Sequence, residues 1–264
     1  MASKRQLKRF IFKLDRKLVR EQKKLASVLY KELQRQMKEI IANDGKFESR
    51  THDILLDAYL NIGVEFASKQ FDALTSGDFT KEGTFFLEYW KEWIKNFVTF
   101  RIAEKVKNMD AWSVERYVKA LTQITQVIEE NAMSVPNTYI AEQLEKKLGA
   151  GVFSRSRAMT IARTETASIA NEAKAKSAES WAGENDQKQY KMWVHRNSKD
   201  ARDNHEFLDG VIIETKEAFQ VVAENGTVDY MQYPHDPNAS AENVINCNCQ
   251  VVYMSEDYVN QLNN

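Results

Sequence analysis

The chain has 264 residues, 43% hydrophobic and 28% charged, with a formal net charge of −1. That is enough chain for one or two domains with a sizeable core, and no apolar run is long enough to cross a membrane as a helix. Nine Gly and three Pro are too few for a turn-rich all-β protein, and two Cys cannot build a disulfide framework. A reducing compartment follows from the cysteine usage, and no secretory signal is expected, since the basic N-terminus has no apolar segment behind it. The charge is unevenly spread. Residues 1–40 hold 13 Lys and Arg against four acids, a balance of +9, while the rest of the chain carries −10. Such an arm is suited to something anionic: nucleic acid, an acidic partner or the chain's own acidic body.

In chain order, residues 4 to about 42 read as one long helix. Leu7, Ile11, Leu14, Leu18, Leu25, Val28, Leu29, Leu33, Met37 and Ile40 form a seam interrupted at Glu21. The cluster Asn43-Asp44-Gly45 ends it. A second helix is predicted over about 51–74, with Thr51 as N-cap and Thr75-Ser76-Gly77 as the break. A third runs over about 80–109, with Phe85, Phe86, Tyr89, Trp90, Trp93, Phe97 and Phe100 mostly on one broad face. That face reads as bundle core, with a stacking platform for bases as the alternative. A fourth helix covers about 112–132. A short one opens at Ser134 or Asn137 and closes at Gly149, with Lys146 and Lys147 in its last turn. Another long helix starts at Ser154 and ends near Gly183.

The pattern then changes. Residues 189–195 alternate like a strand. Ser198 caps a short helix through Leu208, stopped by Gly210. Residues 211–213 are strand-like, and Glu224-Asn225-Gly226 is a hairpin turn pairing 220–223 with 227–233. A last strand fits 248–254. The fold class is therefore α+β: a long-helix N-terminal domain, residues 1–150, followed by a small α+β C-terminal domain, residues 151–264, with its leading helix.

Three features could carry chemistry. Cys247 and Cys249 on an extended strand would present both thiols on one face. With His205 they could share a zinc ion, and the competing reading is two small thiols packed in a core. The polar segment from Asp200 to Gly210 would pair Arg202 with Glu206 and His205 with Asp209 across one helical turn. Arg163 and Glu165, two apart on a helix, face different directions and could each tie to the C-terminal domain. Arg163, Glu165, Asp200, Arg202 and Asp209 are thus read as a structural polar cluster. In the basic helix, Lys4, Arg5, Lys8, Arg9, Lys13, Arg16, Lys17 and Arg20 are the residues that would lie along phosphates. No nucleophile, phosphate-binding glycine loop or His-Glu-x-x-His is marked by spacing, so no catalytic residue is expected.

Several fragments occur in a fixed order: Ala162-Arg163-Thr164-Glu165-Thr166 with Asn171, Lys191-x-Trp193, Asp200-x-Arg202-x-x-His205-x-x-Leu208-Asp209-Gly210, Pro234-x-Asp236, and Asn246-Cys247-x-Cys249. Over about residues 150–254 this resembles the phage Mu protein F-like family of minor head proteins of tailed bacteriophages. Asn248 departs from the Arg more often found between the cysteines, and Asp203 and Asn204 stand where a second basic residue often follows. The resemblance implies a virion protein, multi-copy or oligomeric, made in the host cytoplasm and placed in the capsid interior or at the portal vertex. Its implied partners are the portal protein and capsid, and it implies no catalysis. DNA binding by charge would come from the basic helix, and the portal contacts are expected from the aromatic helical half. The alternative from another class is a metal-dependent hydrolase or nuclease using His205, Cys247, Cys249 and Asp200.

Overall fold

The computed structural model describes residues 4–77, 87–185, 187–196 and 202–263. Phe85, Phe86, Ser198 and Asp200, as well as the side chain of Phe100, lie outside them. Five long helices come first: α1 (Lys4–Ala42), α2 (Thr51–Ser76), α3 (Leu87–Glu130), α4 (Asn137–Ala150) and α5 (Arg155–Asn185). Then follow β1 (Gln189–Val194), α6 (Asp203–Glu206), β2 (Ile212–Glu214), β3 (Phe219–Val222), β4 (Val228–Met231), α7 (Ala241–Val244), β5 (Gln250–Ser255) and α8 (Glu256–Asn263). Long helices before a small antiparallel module make the chain α+β. None of the described helices is long and apolar enough to cross a membrane.

The α1 seam is Leu7, Phe10, Leu14, Leu18, Leu25, Leu29, Leu33, Met37 and Ile40, all buried. Phe10 takes the place expected of Ile11, and Val28 faces solvent. The interruption of the seam is Gln22 rather than Glu21. Gln22 is buried four residues after Leu18, and its amide donates to Asn248 Oδ1 at 3.3 Å. The expected third and fourth helices are one. Ser113, inside α3, returns its hydroxyl to the Met109 carbonyl at 2.9 Å, so a residue that often starts helices sits within one. Ser154 does cap α5, accepting the Arg157 amide at 3.2 Å.

The chain divides into two compact units. One comprises Met1–Gln22, Ala58–Asn96 and Arg163–Asn264, the other Lys23–Asp57 and Phe97–Ala162. In the first, α2, α3 and α5 approach at Gly63, where an added Cβ would fall 2.6 Å from Ile94 Cδ1 and 3.1 Å from Ile169 Cγ1. The second is held partly by Arg157, which lies over the Trp112 ring at 4.5 Å and donates to Ser113 Oγ at 3.1 Å. Burial lowers the Arg157 guanidinium to about 10.

The three-stranded sheet has the order β2-β1-β5, with Trp193 opposite Val251 and Lys191 opposite Tyr253. β3 and β4 form a separate hairpin. Its turn needs one positive φ, at Gly226 (+84°). The Gly226 amide bonds the Ala223 carbonyl at 2.9 Å, and the Ala223 amide bonds the Thr227 carbonyl at 2.8 Å. This is a three-residue loop ending in a glycine bulge.

The open edge of β5 is closed by two side-chain amides. Asn171 of α5 accepts the Val251 amide at 3.0 Å and donates to the Cys249 carbonyl at 3.0 Å and the Pro234 carbonyl at 3.1 Å. Further along, Gln70 of α2 donates to the Tyr253 carbonyl at 3.0 Å and accepts its amide at 3.3 Å. Together they do along this edge what a fourth strand would do. An edge left bare would be a template for another chain.

Candidate functional site

The C-terminal module has its own core of Trp193, Phe219, Val221, Met231, Cys247 and Cys249. The cysteines are not on a strand, as expected, but in the turn that leads into β5. Asn246, at φ +62°, turns the chain, and the Cys247 amide bonds the Val244 carbonyl at 3.3 Å. The Cys249 amide then donates to Cys247 Sγ at 3.3 Å. The thiols converge through this turn rather than through strand alternation.

His205 Nδ1 lies 3.4 Å from Cys247 Sγ and 3.6 Å from Cys249 Sγ. All three residues are buried, at 3% exposure or less. They form the metal-capable group of His, Cys, Asp and Glu side chains found among the described residues. Trp193 meets the His205 ring edge-on at 5.4 Å and Phe219 at 5.2 Å, so the imidazole is wedged in the core.

The neighbours fix the tautomer of His205. Asn243 Nδ2 must face an acceptor, and it donates to Asp229 Oδ2 at 2.7 Å. Asn243 Oδ1 therefore points at His205 Nε2, 3.3 Å away, and that nitrogen carries the proton. The lone pair of neutral His205 is left on Nδ1, facing both sulfurs. Asp229, which also accepts the amide and hydroxyl of Ser240, is itself held below the usual carboxylate range: these hydrogen bonds outweigh its desolvation, the largest single influence.

The thiols differ. Cys247 is held well below the ordinary thiol range, first by a hydrogen bond from Cys249 that works against burial. Cys249 is pushed up by donating that bond and by burial. His235, also buried, donates Nε2–H to the Cys247 carbonyl at 3.0 Å.

The predicted polar cluster does not form as one group. Arg202 reaches the Ile245 carbonyl at 2.7 Å, and Arg163 reaches Asn246 Oδ1 at 3.3 Å, so both brace the turn before Cys247. Thr164 Oγ1 accepts the Asn246 amide at 2.9 Å. Glu165 is buried elsewhere, accepting the Tyr59 hydroxyl. Asp209 accepts the His195 amide at 2.8 Å rather than pairing with His205, because α6 is a single turn ending at Glu206. Asp200 lies outside the described residues. Asn171, Asn243 and Gln70, which hold the turn, His205 and β5, were not among the predicted site residues.

On α1, Lys4, Arg5, Lys8, Arg9, Lys13, Arg16 and Arg20 are exposed. Lys4, Arg5, Lys8 and Arg9 line a shallow surface depression with Phe12. Arg16 stacks over Phe12 at 5.7 Å. Lys17 is half-buried against Glu65 at 2.5 Å, and Arg20 pairs with Glu21 at 3.5 Å, so these two are already engaged.

Residues 119–252, just over half of the chain, match the family model described as phage Mu protein F like protein. A Bacillus subtilis (strain 168) protein, "uncharacterized protein YqbB", is 35% identical over 99 residues, which is 37% of this chain and 30% of that relative. The chain thus spans under a third of the relative's length. No solved structure matches it. The match runs through α5, the Trp193 strand, His205 and the Cys247 turn, and the chain belongs to the phage Mu protein F-like family.

Proposed function

We propose that the chain is a minor head protein that acts at the portal vertex in head morphogenesis, DNA packaging or DNA delivery. The observation that carries this reading is the family match across the C-terminal module. The buried His205, Cys247 and Cys249 group supports a structural role for the motif residues over the hydrolase alternative, since metal-dependent hydrolysis needs an open coordination position.

The aromatic helix is a weaker portal surface than its sequence suggests. Of its aromatic face, Trp90 is fully buried with Ile94, Val98 and Ile102, whereas Trp93 and Phe97 are partly buried and Tyr89 is exposed. α3 keeps Tyr89 at 48% and Trp112 at 37% exposure, but the two most exposed aromatic side chains among the described residues lie elsewhere. Phe207 is 84% exposed and Tyr230 70%, and Val222 and Val228 are paired on the same hairpin. Asn204 of α6, the turn that Phe207 follows, donates to the Val222 carbonyl at 2.6 Å. Exposed aromatic side chains are the usual interface anchors. The doubly substituted Phe207→Ser/Tyr230→Ser chain is expected to lose capture by purified portal rings while keeping its thermal midpoint. Undiminished capture would overturn this surface, and no capture of the wild type would overturn the portal reading.

DNA contact would come from Lys4, Arg5, Lys8, Arg9 and Lys13. Deleting the helix is not the test, because Leu7, Leu14 and Leu18 are core. Replacing the five by Gln should weaken binding to duplex DNA regardless of sequence. The slope of log K against log salt should fall by about 0.9 for each phosphate that is no longer neutralised. An unchanged slope would remove DNA from the reading.

A further inference from the structure

We propose that His205, Cys247 and Cys249 bind one zinc ion, which ties α6 to the turn leading into β5. The proposal goes beyond the head-protein reading and does not depend on it. A tetrahedral zinc ion with bonds of about 2.3 Å to sulfur and about 2.05 Å to nitrogen sets its S and N ligands about 3.6 Å apart. The Nδ1 to Sγ separations here are 3.4 and 3.6 Å. Those distances are also close to a hydrogen bond to sulfur, so the surroundings of the group must decide.

Three features favour an ion. The chain Asp229–Asn243–His205 protonates Nε2 and aims the Nδ1 lone pair at the sulfurs, the arrangement in which a second partner orients a metal-bound imidazole. The Cys249 amide points at Cys247 Sγ, which suits a thiolate. Finally, two thiolates cancel the charge of Zn²⁺, so the filled group is neutral inside an apolar core, where a net charge is costly. Binding displaces the thiol protons to solvent with no change in oxidation state. Thiolate and imidazole ligands together select zinc over hard cations such as magnesium or calcium.

A tetrahedral ion takes a fourth donor. His235 sits beside Cys247 with its Nε2–H spent on that residue's carbonyl, and its buried Nδ1 has no hydrogen-bond partner among the described residues. Its imidazole nonetheless falls outside the set of ligand atoms within 4.8 Å of one another, which among the described residues is His205, Cys247 and Cys249, so it would have to move to complete a tetrahedron. Burial of the whole group matches a closed, structural site rather than one that keeps an open position for substrate.

The test uses the full chain, produced with zinc in the medium and measured by elemental analysis and thiol titration. One zinc per chain is expected, with both thiols unreactive until a chelator is added. The Cys247→Ser/Cys249→Ser chain should hold none. Because the cysteine variant could fail to fold, the metal-free wild type is also loaded with cobalt(II). Thiolate-to-cobalt charge-transfer absorption of a tetrahedral site is expected. A folded wild type without zinc, with freely titrating or disulfide-linked cysteines and no such absorption, would overturn the proposal. Full zinc content in the double cysteine variant would overturn it equally.

Discussion

Replacing Asn171 by Ala is expected to destabilise the chain by about 3 kcal/mol or more. The side chain is fully buried and satisfies two carbonyls and one amide, at Pro234, Cys249 and Val251. Leaving a buried backbone group without its partner costs about 1–3 kcal/mol each. The gain in helix propensity from Ala, at most about 0.7 kcal/mol, is too small to offset this. The check is a urea midpoint for the full chain beside Glu184→Ala, an exposed helical position where a change within about 0.5 kcal/mol is expected. A midpoint for Asn171→Ala matching that control would mean the edge of β5 does not depend on the α5 amide.

Lys174 should give the chain a pH-dependent stability that a surface lysine would not. Its ammonium is wholly buried, over the Phe66 ring at 5.6 Å and bonded to Gln250 Oε1 at 3.2 Å. Burial alone lowers it to about 7 from the usual 10.5. Below pH 7 both folded and unfolded chains carry the proton, and the cost of the buried charge is constant. Between about pH 7 and pH 10 the unfolded chain still binds a proton that the folded chain has released, so unfolding becomes harder as pH rises. The slope approaches about 1.4 kcal/mol per pH unit inside that window. Lys174→Met has no proton to release and should lack this rise. Subtracting its pH profile from the wild-type profile removes the tyrosine and cysteine background. A flat difference between pH 7 and pH 10 would show that the amine stays charged when buried.

What the sequence made legible was local. The spacing of Leu7, Leu14, Leu18, Leu25 and Leu29 placed α1, and Ser154 marked the start of α5, because helix period and N-cap chemistry involve neighbours in the chain. The convergence of His205 with Cys247 and Cys249 was also readable, though through the wrong geometry. Strand alternation would align the thiols, but a turn opened by Asn246 in a left-handed conformation is what brings the sulfurs together. The i+4 pairing of His205 with Asp209 failed because a four-residue helix has no next turn to supply it. The amides that organise the module, Gln70, Asn171 and Asn243, left no periodic signal. Each bonds groups tens of residues away or more, and a buried amide in a helix looks in sequence like any surface polar residue. Gln22 on the α1 seam is the same case, its partner Asn248 lying at the far end of the chain.

The claim that this is a head protein is tested most directly by the protein content of purified virions from the phage that encodes it. The account predicts that the chain is present in mature particles in few copies, retained with the portal when heads are disrupted, and that particles made without it package or deliver DNA poorly. Fully infectious virions that contain none of the chain would contradict it.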